Sequence, residues 1–370
     1  MNLNLKFAPG KADFFSTLSQ RVNSHFKNNS IERTANIEMV VKTVFMFSLY
    51  LIPYFIVISG VITNLWAMLG LCMVMGLGVA GIGLSVMHDA NHGSYSSKNW
   101  VNNLLGISLN VIGGHAINWK VQHNVLHHTY TNVHDVDEDI SPRGVLRMAP
   151  GSEWKPMHRY QHLYAWFFYG LLTLVWVVNK DFSRLVKYDR EGLLKKQKTT
   201  AQREWLFLIV SKVLYISYTI ILPIIILPVT WWQVLIGFFV MHYIAGFILA
   251  IIFQPAHVID GTEYPVADAN GNLENNWAIH QLHTTTNFGH KNKLLSWYVG
   301  GLNYQVEHHL FPNVCHVHYR KLAPIVEQTA KEFGLPYKSK DTFLEAVVAH
   351  GKLMKELGIK PELAPSMSVA

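Results

Sequence analysis

Four apolar stretches that are almost free of charged residues constrain the fold of this chain more than any other feature. The first two, about 43–63 and 65–87, are separated only by Asn64. The second two, about 208–230 and 232–256, also lie next to one another. A bilayer core about 30 Å thick is crossed by roughly 20 helical residues, so each stretch can span a membrane. The sequence therefore predicts an all-α integral membrane protein with four transmembrane helices.

The composition supports a membrane protein. Hydrophobic residues make up 50% of the chain and charged residues 15%, below the roughly 25% of soluble domains. The two cysteines, Cys72 and Cys315, do not form a disulfide framework, because Cys72 lies within an apolar stretch. A reducing, cytosol-facing context is expected. No nucleic acid partner is expected.

Histidines recur in three clusters of regular spacing. His88 and His92 are four residues apart, as are His123 and His127, and Gln305 precedes His308 and His309 by three and four positions. On an α-helix such residues share one face, and imidazole is a ligand for iron, copper, nickel and zinc. A lone pair with this spacing is more often not a metal site, but three clusters in one chain indicate one. With His128 and His257 the histidines number eight, too many for one ion, so two metals are predicted.

The clusters can share a site only if they lie on one side of the membrane. An even number of spans must then separate them, so the short apolar stretches 101–117 and 163–178 are interpreted as interfacial or re-entrant helices. The turns at 63–65 and 229–232 carry no charge. By the positive-inside rule, the Lys- and Arg-rich remainder then faces the cytosol.

The predicted organisation has three parts. Residues 1–40 form a cytosolic N-terminal segment, whose apolar residues at helical spacing (Phe14, Leu18, Val22) predict an amphipathic helix suited to the membrane surface. Residues 41–325 form the membrane domain. Residues 326–370 form cytosolic C-terminal helices and a tail that is expected to be disordered after Pro361. A cytosolic helical cap would hold the histidine-rich site for two metal ions.

Three motifs resemble the histidine boxes of the membrane fatty acid desaturases. They are His88-Asp-Ala-Asn-His92, His123-Asn-Val-Leu-His-His128 and Gln305-Val-Glu-His-His-Leu-Phe-Pro312. The opening glutamine of the third is similar to the front-end subfamily, which inserts a double bond between an existing one and the carboxyl end. The resemblance implies two Fe²⁺ ions, O2, and Gln305 as a catalytic residue that touches iron or orients a ligand. The metal ligands that it implies are His88, His92, His123, His127, His128, His257, His308 and His309.

The resemblance also implies partners. The substrate would be a fatty acyl-CoA or an acyl-lipid in the lipid bilayer. The sequence contains no His-Pro-Gly-Gly haem motif, so electrons are expected from an external donor, a ferredoxin or a cytochrome b5-type protein. Small stand-alone forms resemble bacterial members of the family, which predicts a multi-pass protein of a bacterial inner membrane with its active site on the cytosolic face.

Polar residues in or near the boxes are candidates for orienting the ligand histidines, since each imidazole needs a fixed tautomer. A solvated acidic loop remains the alternative for the stretch 135–139. Lys212 is expected to snorkel at the edge of its span, and His242, inside a span, needs a polar partner. The orienting candidates are Asp89, Asn124, Asn132, Asp137, Asp139, Asn303 and His280.

Two other functions remain open on the residues alone. One is a di-iron hydroxylase or monooxygenase that acts on a lipid, and the other is a non-enzymatic metal-binding or metal-transporting membrane protein. The basic loop 180–204 is similarly ambiguous. It suits anionic lipid, coenzyme A phosphates or an acidic electron donor.

Overall fold

The computed structural model describes residues 5–8, 13–141 and 144–361. Its described residues include four helices that are long and apolar enough to cross a membrane, which confirms the predicted number; they are Ile37–Ile58, Leu65–His92, Ala201–Ile226 and Trp231–His257. A fifth span would arise only if Pro156–Gly170 and Leu172–Arg190, which meet at a bend of 61°, counted as one. The predicted disorder after Pro361 concerns residues that lie outside the described ones.

The first hairpin differs from the sequence prediction in its turn. The first helix begins at Ile37, because the Asn36 side chain accepts a hydrogen bond from Met39 N and caps it. It ends at Ile58, and Gly60 follows in the left-handed conformation with φ +69°. Asn64 caps the second helix by accepting from Ala67 N. Hydropathy does not register these capping residues, so it placed a one-residue turn where residues 59–64 form a longer one.

The chain divides into two compact units. Unit 1 comprises Met1–Thr34, Gln122–Ala165 and Ile252–Ala370, and unit 2 comprises Ala35–Val121 and Trp166–Ile251. Three helices continue along the chain from one unit into the other: the π-helix Lys120–His127 and the α-helices Gln161–Gly170 and Trp231–His257.

Unit 2 contains most of the apolar helices. The short helices between residues 99 and 119 are too short to span, as predicted for 101–117. Besides Ile37–Ile58, the helices of unit 2 are Leu65–Gly81, Ile82–Val86 (π), Met87–His92, Asn99–Gly106, Ser108–Val111, Ala116–Trp119, Leu172–Val175, Trp176–Lys180 (π), Asp181–Arg190, Leu193–Lys196, Ala201–Ile216, Ser217–Ile221 (π) and Leu222–Ile226.

Small residues bring the helices of unit 2 into close contact. A Cβ on Gly78 would lie 2.7 Å from Tyr50 N, and one on Gly246 would lie 2.6 Å from Gly170 O. Inside a bilayer, helices associate through close packing rather than through the hydrophobic effect. Glycine at these two positions therefore sets how closely the helices of unit 2 approach.

Buried polar residues in unit 2 form hydrogen bonds with backbone groups where helices are interrupted. Lys212 does not snorkel, contrary to the sequence prediction. Its buried ammonium lies 2.6 Å from Asp181 Oδ2 and donates to Gly113 O and Trp176 O. Carbonyls freed by helix breaks need such donors at membrane depth, which explains why the lysine turns inward.

His242 has the polar partners that its position required. Its Nε2 lies 2.6 Å from Tyr215 Oη, and its Nδ1 lies 3.0 Å from Thr173 Oγ1. The side chain thus links three helices of unit 2.

Unit 1 is built from shorter helices around its own core. Its α-helices are Asp13–Asn28, Trp277–Thr284, Lys293–Tyr298, Gln305–Leu310, Tyr319–Glu332 and Phe343–Leu357, and its 3-10 helices are Glu138–Ile140, Pro156–Tyr160 and His316–His318. Strand Lys6–Phe7 pairs in parallel with Asn272–Leu273, and Asn287–Phe288 pairs in parallel with Ser339–Lys340.

The N-terminal helix belongs to this core and not to the membrane surface. Phe14, Leu18 and Val22, which the helical spacing predicted on one face, are buried in the same cluster as Leu322 and Val326 of helix Tyr319–Glu332. That face is therefore covered by protein.

Candidate metal centre

The second histidine cluster lies on a π-helix. The sequence predicted an α-helix, but Lys120–His127 has the wider π pitch, and His128 N donates to His123 O, five residues back. As a result His123 and His128 are neighbours, with their Nε2 atoms 3.2 Å apart. Isolated π turns are frequent at functional sites, and here all three rings stay close, since the ring centroids of His123 and His127 are also only 5.3 Å apart.

His127 and His257 each use Nδ1 for a hydrogen bond to a buried acceptor. His127 Nδ1 lies 2.9 Å from Asp137 Oδ2. His257, the last residue of helix Trp231–His257, has Nδ1 3.3 Å from Thr284 O. Since a carboxylate and a carbonyl can only accept, Nδ1 of both rings carries the proton.

His309 follows the same rule with a different acceptor. Its Nδ1 lies 2.8 Å from Gln281 Oε1, and Thr131 donates its hydroxyl to the same oxygen over 2.9 Å. The Gln281 amide nitrogen donates to His128 O, which holds the glutamine in place. The carboxamide thus fixes His309 in the same tautomer as His127 and His257.

These three bonds leave Nε2 as the lone-pair nitrogen of His127, His257 and His309. All three Nε2 atoms are buried and lack a hydrogen-bond partner among the described residues. Ligand nitrogens of the three rings lie within 4.8 Å of one another. A buried lone pair without a donor is costly, and a metal ion removes that cost. The donor set therefore fits a metal ion.

A second group of imidazole nitrogens lies beside the first. His128 Nε2 is 2.9 Å from His308 Nε2 and 3.2 Å from His123 Nε2. Ligand nitrogens of His128, His308 and His309 lie within 4.8 Å of one another. His308 Nδ1 is 3.2 Å from Tyr319 Oη. A hydrogen bond therefore also orients this ring through the nitrogen that faces away from the cluster. Unit 1 can therefore hold metal at two adjoining positions.

Gln305 lies at the start of the helix that carries His308 and His309. It is buried, and neither atom of its amide has a hydrogen-bond partner among the described residues. The amide lies near the His257 ring, on the scale of a long hydrogen bond. A buried amide without partners normally marks a place where a ligand or water is bound.

The electrostatics differ between two of the ligand candidates, because the Asp137 carboxylate outweighs burial and raises the pKa of His127 above its ordinary value. Burial and the neighbouring imidazoles lower the pKa of His309 far below its ordinary value, so the ring is neutral, as metal binding requires. Burial of Asp137 disfavours its charge, but the His127 ring and the backbone N–H groups of Asn132 and Asp139 outweigh it and lower the carboxyl pKa. Asp137 is thus an anion behind a candidate ligand, and its side chain is buried rather than part of a solvated loop.

One family model matches residues 64–341 and is described as Fatty acid desaturase. It spans the three histidine clusters and their orienting residues.

The chain belongs to the fatty acid desaturase family.

Curated relatives cover nearly all of this desaturase. It is 36% identical over 354 residues to the sn-1 linoleoyl-lipid 6-desaturase of Arthrospira platensis, which covers 94% of each chain. It is 34% identical to the sn-1 linoleoyl-lipid 6-desaturase of Synechocystis sp. over 94% of this chain and 96% of that one. It is also 36% identical to the acyl-lipid (8-3)-desaturase of Physcomitrium patens over 94% of this chain and 72% of that one. The protein is therefore a fatty acyl desaturase, an oxidoreductase that introduces a double bond, which decides among the three functions left open by the sequence.

Two predicted orienting residues of the desaturase contact ligand candidates, Asp139 at His127 and Asn132 at the His257 backbone. Asp139 Oδ2 is 3.8 Å from His127 Nδ1, and its other oxygen accepts from Gln122. Asn132 has φ +59° and donates to His257 O over 2.9 Å. Asn132 thus ties the loop after the second cluster to the end of the last apolar helix.

The other orienting candidates in unit 1 contact backbone or lie between ligands. His280 Nε2 is 2.8 Å from Thr131 O, and burial lowers its pKa to about 4. Asn303 donates to Phe288 O over 3.1 Å. Both contacts order loops and involve no histidine ring other than that of His280 itself. Asn124 is half-buried on the π-helix, between His123 and His127.

The first histidine cluster lies in unit 2. His88 and His92 lie in the last turn of helix Leu65–His92, and their ring centroids are 4.8 Å apart. Both pack edge-on against Trp119. His88 Nδ1 is 3.7 Å from Asp89 Oδ1. The four-residue spacing therefore places the two rings on one face, as expected.

Several contributors were not among the sequence candidates. Gln281, Thr284 and Tyr319 each hold the Nδ1 atom of a ligand candidate. Glu307, inside the third cluster, is buried and accepts from Tyr337 Oη and Asn287 Nδ2 over 2.9 Å each. Burial raises the pKa of Glu307 to about 7. Only Glu307 could have been suspected from the sequence, because it lies between Gln305 and His308. Gln281, Thr284 and Tyr319 lie outside the histidine clusters.

Asp137→Asn tests the orienting bonds. The substitution keeps the shape but removes the anion behind His127, so metal affinity is expected to fall about 10–100-fold. Metal content measured across a chelator titration checks this. Asp135→Asn is the matched control, because Asp135 lies in the same loop with its side chain 80% exposed. Equal metal retention by the two variants would contradict the assignment.

Proposed function

We propose that this desaturase inserts its double bond between an existing double bond and the carboxyl end of an acyl chain carried by a membrane lipid. The observation that carries the proposal is Gln305, a buried amide without partners at the start of the third cluster. A glutamine at this place resembles front-end enzymes. The printed names of the relatives, linoleoyl-lipid 6-desaturase and acyl-lipid (8-3)-desaturase, support an acyl-lipid substrate. Acyl-CoA is the alternative carrier.

The proposed cofactor is a pair of Fe²⁺ ions. Unit 1 contributes His123, His127, His128, His257, His308 and His309. The resemblance of the boxes assigns the remaining ligands to His88 and His92. When bound, the iron pair supplies the oxidising power for a reaction in which one O2, two electrons and two protons remove two hydrogens from neighbouring methylenes, giving one C=C bond and two waters.

The protein's own residues prepare the site for this reaction. The Nδ1 bonds of His127, His257 and His309 hold neutral rings in one tautomer without reorganisation. The Phe253 ring lies 5.0 Å from the rings of both His127 and His257 and shields them from water. A dry site protects a strong oxidant from side reactions. Gln305 orients a ligand or binds iron through its amide.

The proposed topology places the histidines on the cytosolic face of a bacterial inner membrane. It is supported by the uncharged turns 59–64 and 227–230, which the positive-inside rule assigns to the opposite side. The 61° bend between Pro156–Gly170 and Leu172–Arg190 favours a re-entrant pair over a fifth span. In this arrangement residues 1–40 and 326–370 are cytosolic and flank a membrane domain over 41–325.

The proposed electron donor is a separate ferredoxin or cytochrome b5-type protein. Exposed cations on the cytosolic side suit an acidic partner. Lys195 and Lys196, at the end of helix Leu193–Lys196, are both exposed. The same pair also suits anionic lipid headgroups.

Feeding linoleate to a host that lacks polyunsaturated fatty acids tests the proposed regiochemistry. Expression of the desaturase is expected to give a trienoic product whose new bond, located by mass spectrometry, lies on the carboxyl side of the existing pair. In a pulse of labelled linoleate, the product is expected in glycerolipid before the acyl-CoA pool. His308→Ala, which removes a ligand, is the control and gives no product. A new double bond on the methyl side, or a hydroxylated product, would contradict the proposal.

Gln305→His tests the role of the buried amide. An imidazole there adds a competing nitrogen donor beside His257, so turnover is expected to fall about tenfold or more, or the bond position to shift, with iron retained. Gln328→His is the control, since Gln328 is exposed on helix Tyr319–Glu332. If both variants match the unmodified enzyme in rate and regiochemistry, Gln305 has no part in the site.

A further inference from the structure

A cavity of about 360 Å³ lies within unit 2, near the turns that join the apolar helices in pairs. Each of the four membrane helices contributes to its wall; representative residues are Tyr54, Cys72, Pro223 and Met241. On the second helix the wall ends at Met75, which is 13 positions, or about 20 Å, from His88. The cavity is therefore separate from the first histidine cluster.

The inner wall of the cavity is apolar and buried. Met68, Met75 and Met241 contribute flexible thioether side chains. Thr219, a polar residue of the wall, donates its hydroxyl hydrogen bond to Tyr215 O over 2.6 Å. Buried water needs two to four polar partners, and an apolar cavity of about 150 Å³ stays dry and accepts hydrocarbon. This cavity is more than twice that size, so hydrocarbon suits it and water does not.

The mouth of the cavity has the composition of a membrane interface. Trp66 is 80% exposed and Trp232 48% exposed, and both line it. Indole side chains favour the level of the lipid headgroups. The Gln233 amide lies beside Trp232 at the same end. An amphipathic molecule could thus place its tail in the cavity and its polar head at the mouth.

We propose that this cavity binds one acyl chain of a bilayer phospholipid. Hydrocarbon chains are the surrounding solvent of these helices. A flexible, unbranched chain matches walls lined by methionine, which adapts to irregular partners. Leaving the cavity empty would cost stability in proportion to its volume. The bound chain joins the two helical hairpins, so the bundle is expected to depend on lipid for its stability. This site is independent of the proposed function.

Photolabelling the unmodified enzyme tests the site. The probe is a phosphatidylglycerol with a diazirine at the end of one acyl chain, incorporated into phosphatidylglycerol vesicles with the enzyme. Crosslinks are expected on residues 65–75 and 232–241, and excess unlabelled phosphatidylglycerol should reduce them at least fivefold. Crosslinks restricted to the lipid-exposed outer faces would overturn the proposal. So would native mass spectrometry that finds an isoprenoid in place of a phospholipid.

A pair of variants on one helix gives a second measurement. Cys72→Phe fills the cavity, whereas Met73→Phe adds the same ring at the next position, which is exposed and does not line the cavity. In detergent, added phosphatidylglycerol is expected to raise the Tm of the unmodified enzyme and of Met73→Phe but not of Cys72→Phe. An equal lipid-dependent rise in all three would overturn the proposal. If Cys72→Phe does not fold, the photolabelling result decides.

Discussion

The hydrogen bonds at Nδ1 of the buried histidines are the interaction on which the candidate centre depends. An imidazole has two nitrogens, and only the one without a proton can bind metal. In unit 1, Asp137, Thr284 and Gln281 each accept a hydrogen bond from Nδ1 of one ring, at 2.9, 3.3 and 2.8 Å. Gln281 and Thr284 lie on helix Trp277–Thr284, and Asp137 lies in the loop after the second cluster. The hydrogen bonds of folded unit 1 therefore fix the tautomers without help from a metal.

A second constraint governs the apolar helices, where every polar group must find a partner inside the protein. Lys212 meets it by turning inward to Asp181 and two carbonyls, and His242 by bonding to Tyr215 and Thr173. Both residues looked like exceptions to an apolar sequence. Their partners show that they stabilise the irregular segments of unit 2. Neither residue is needed to explain the metal chemistry.

The sequence predicted the parts of the fold that depend on long apolar runs. All four spans were found, but the end of the first moved from residue 63 to Ile58, because Asn36 and Gly60 define the helix ends. The spacing of its apolar residues predicted the N-terminal helix. It did not predict that the core of unit 1 covers the apolar face of this helix. Spacing alone cannot distinguish a protein core from a bilayer surface.

The histidines that come together in the candidate site were recognisable from the sequence, but their geometry was less so. The α-helical spacing of His123 and His127 suggested that these two form a pair, and their rings do stack at 5.3 Å, but the π pitch also brings His128 beside His123. Gln281 and Tyr319 could not be found, since their partners His309 and His308 become neighbours only in the folded chain. Asn303 was chosen for its place beside the third cluster, yet it bonds to the Phe288 backbone. Proximity in sequence was a weaker guide than the need of each ring for an acceptor.

The most direct test of a histidine-held binuclear centre is a Mössbauer spectrum of the enzyme purified after growth on isotopically enriched iron, quantified per chain. The account predicts two irons per chain in a nitrogen-rich environment, coupled to one another. One uncoupled iron per chain, or an enzyme that is active with zinc alone, would contradict it.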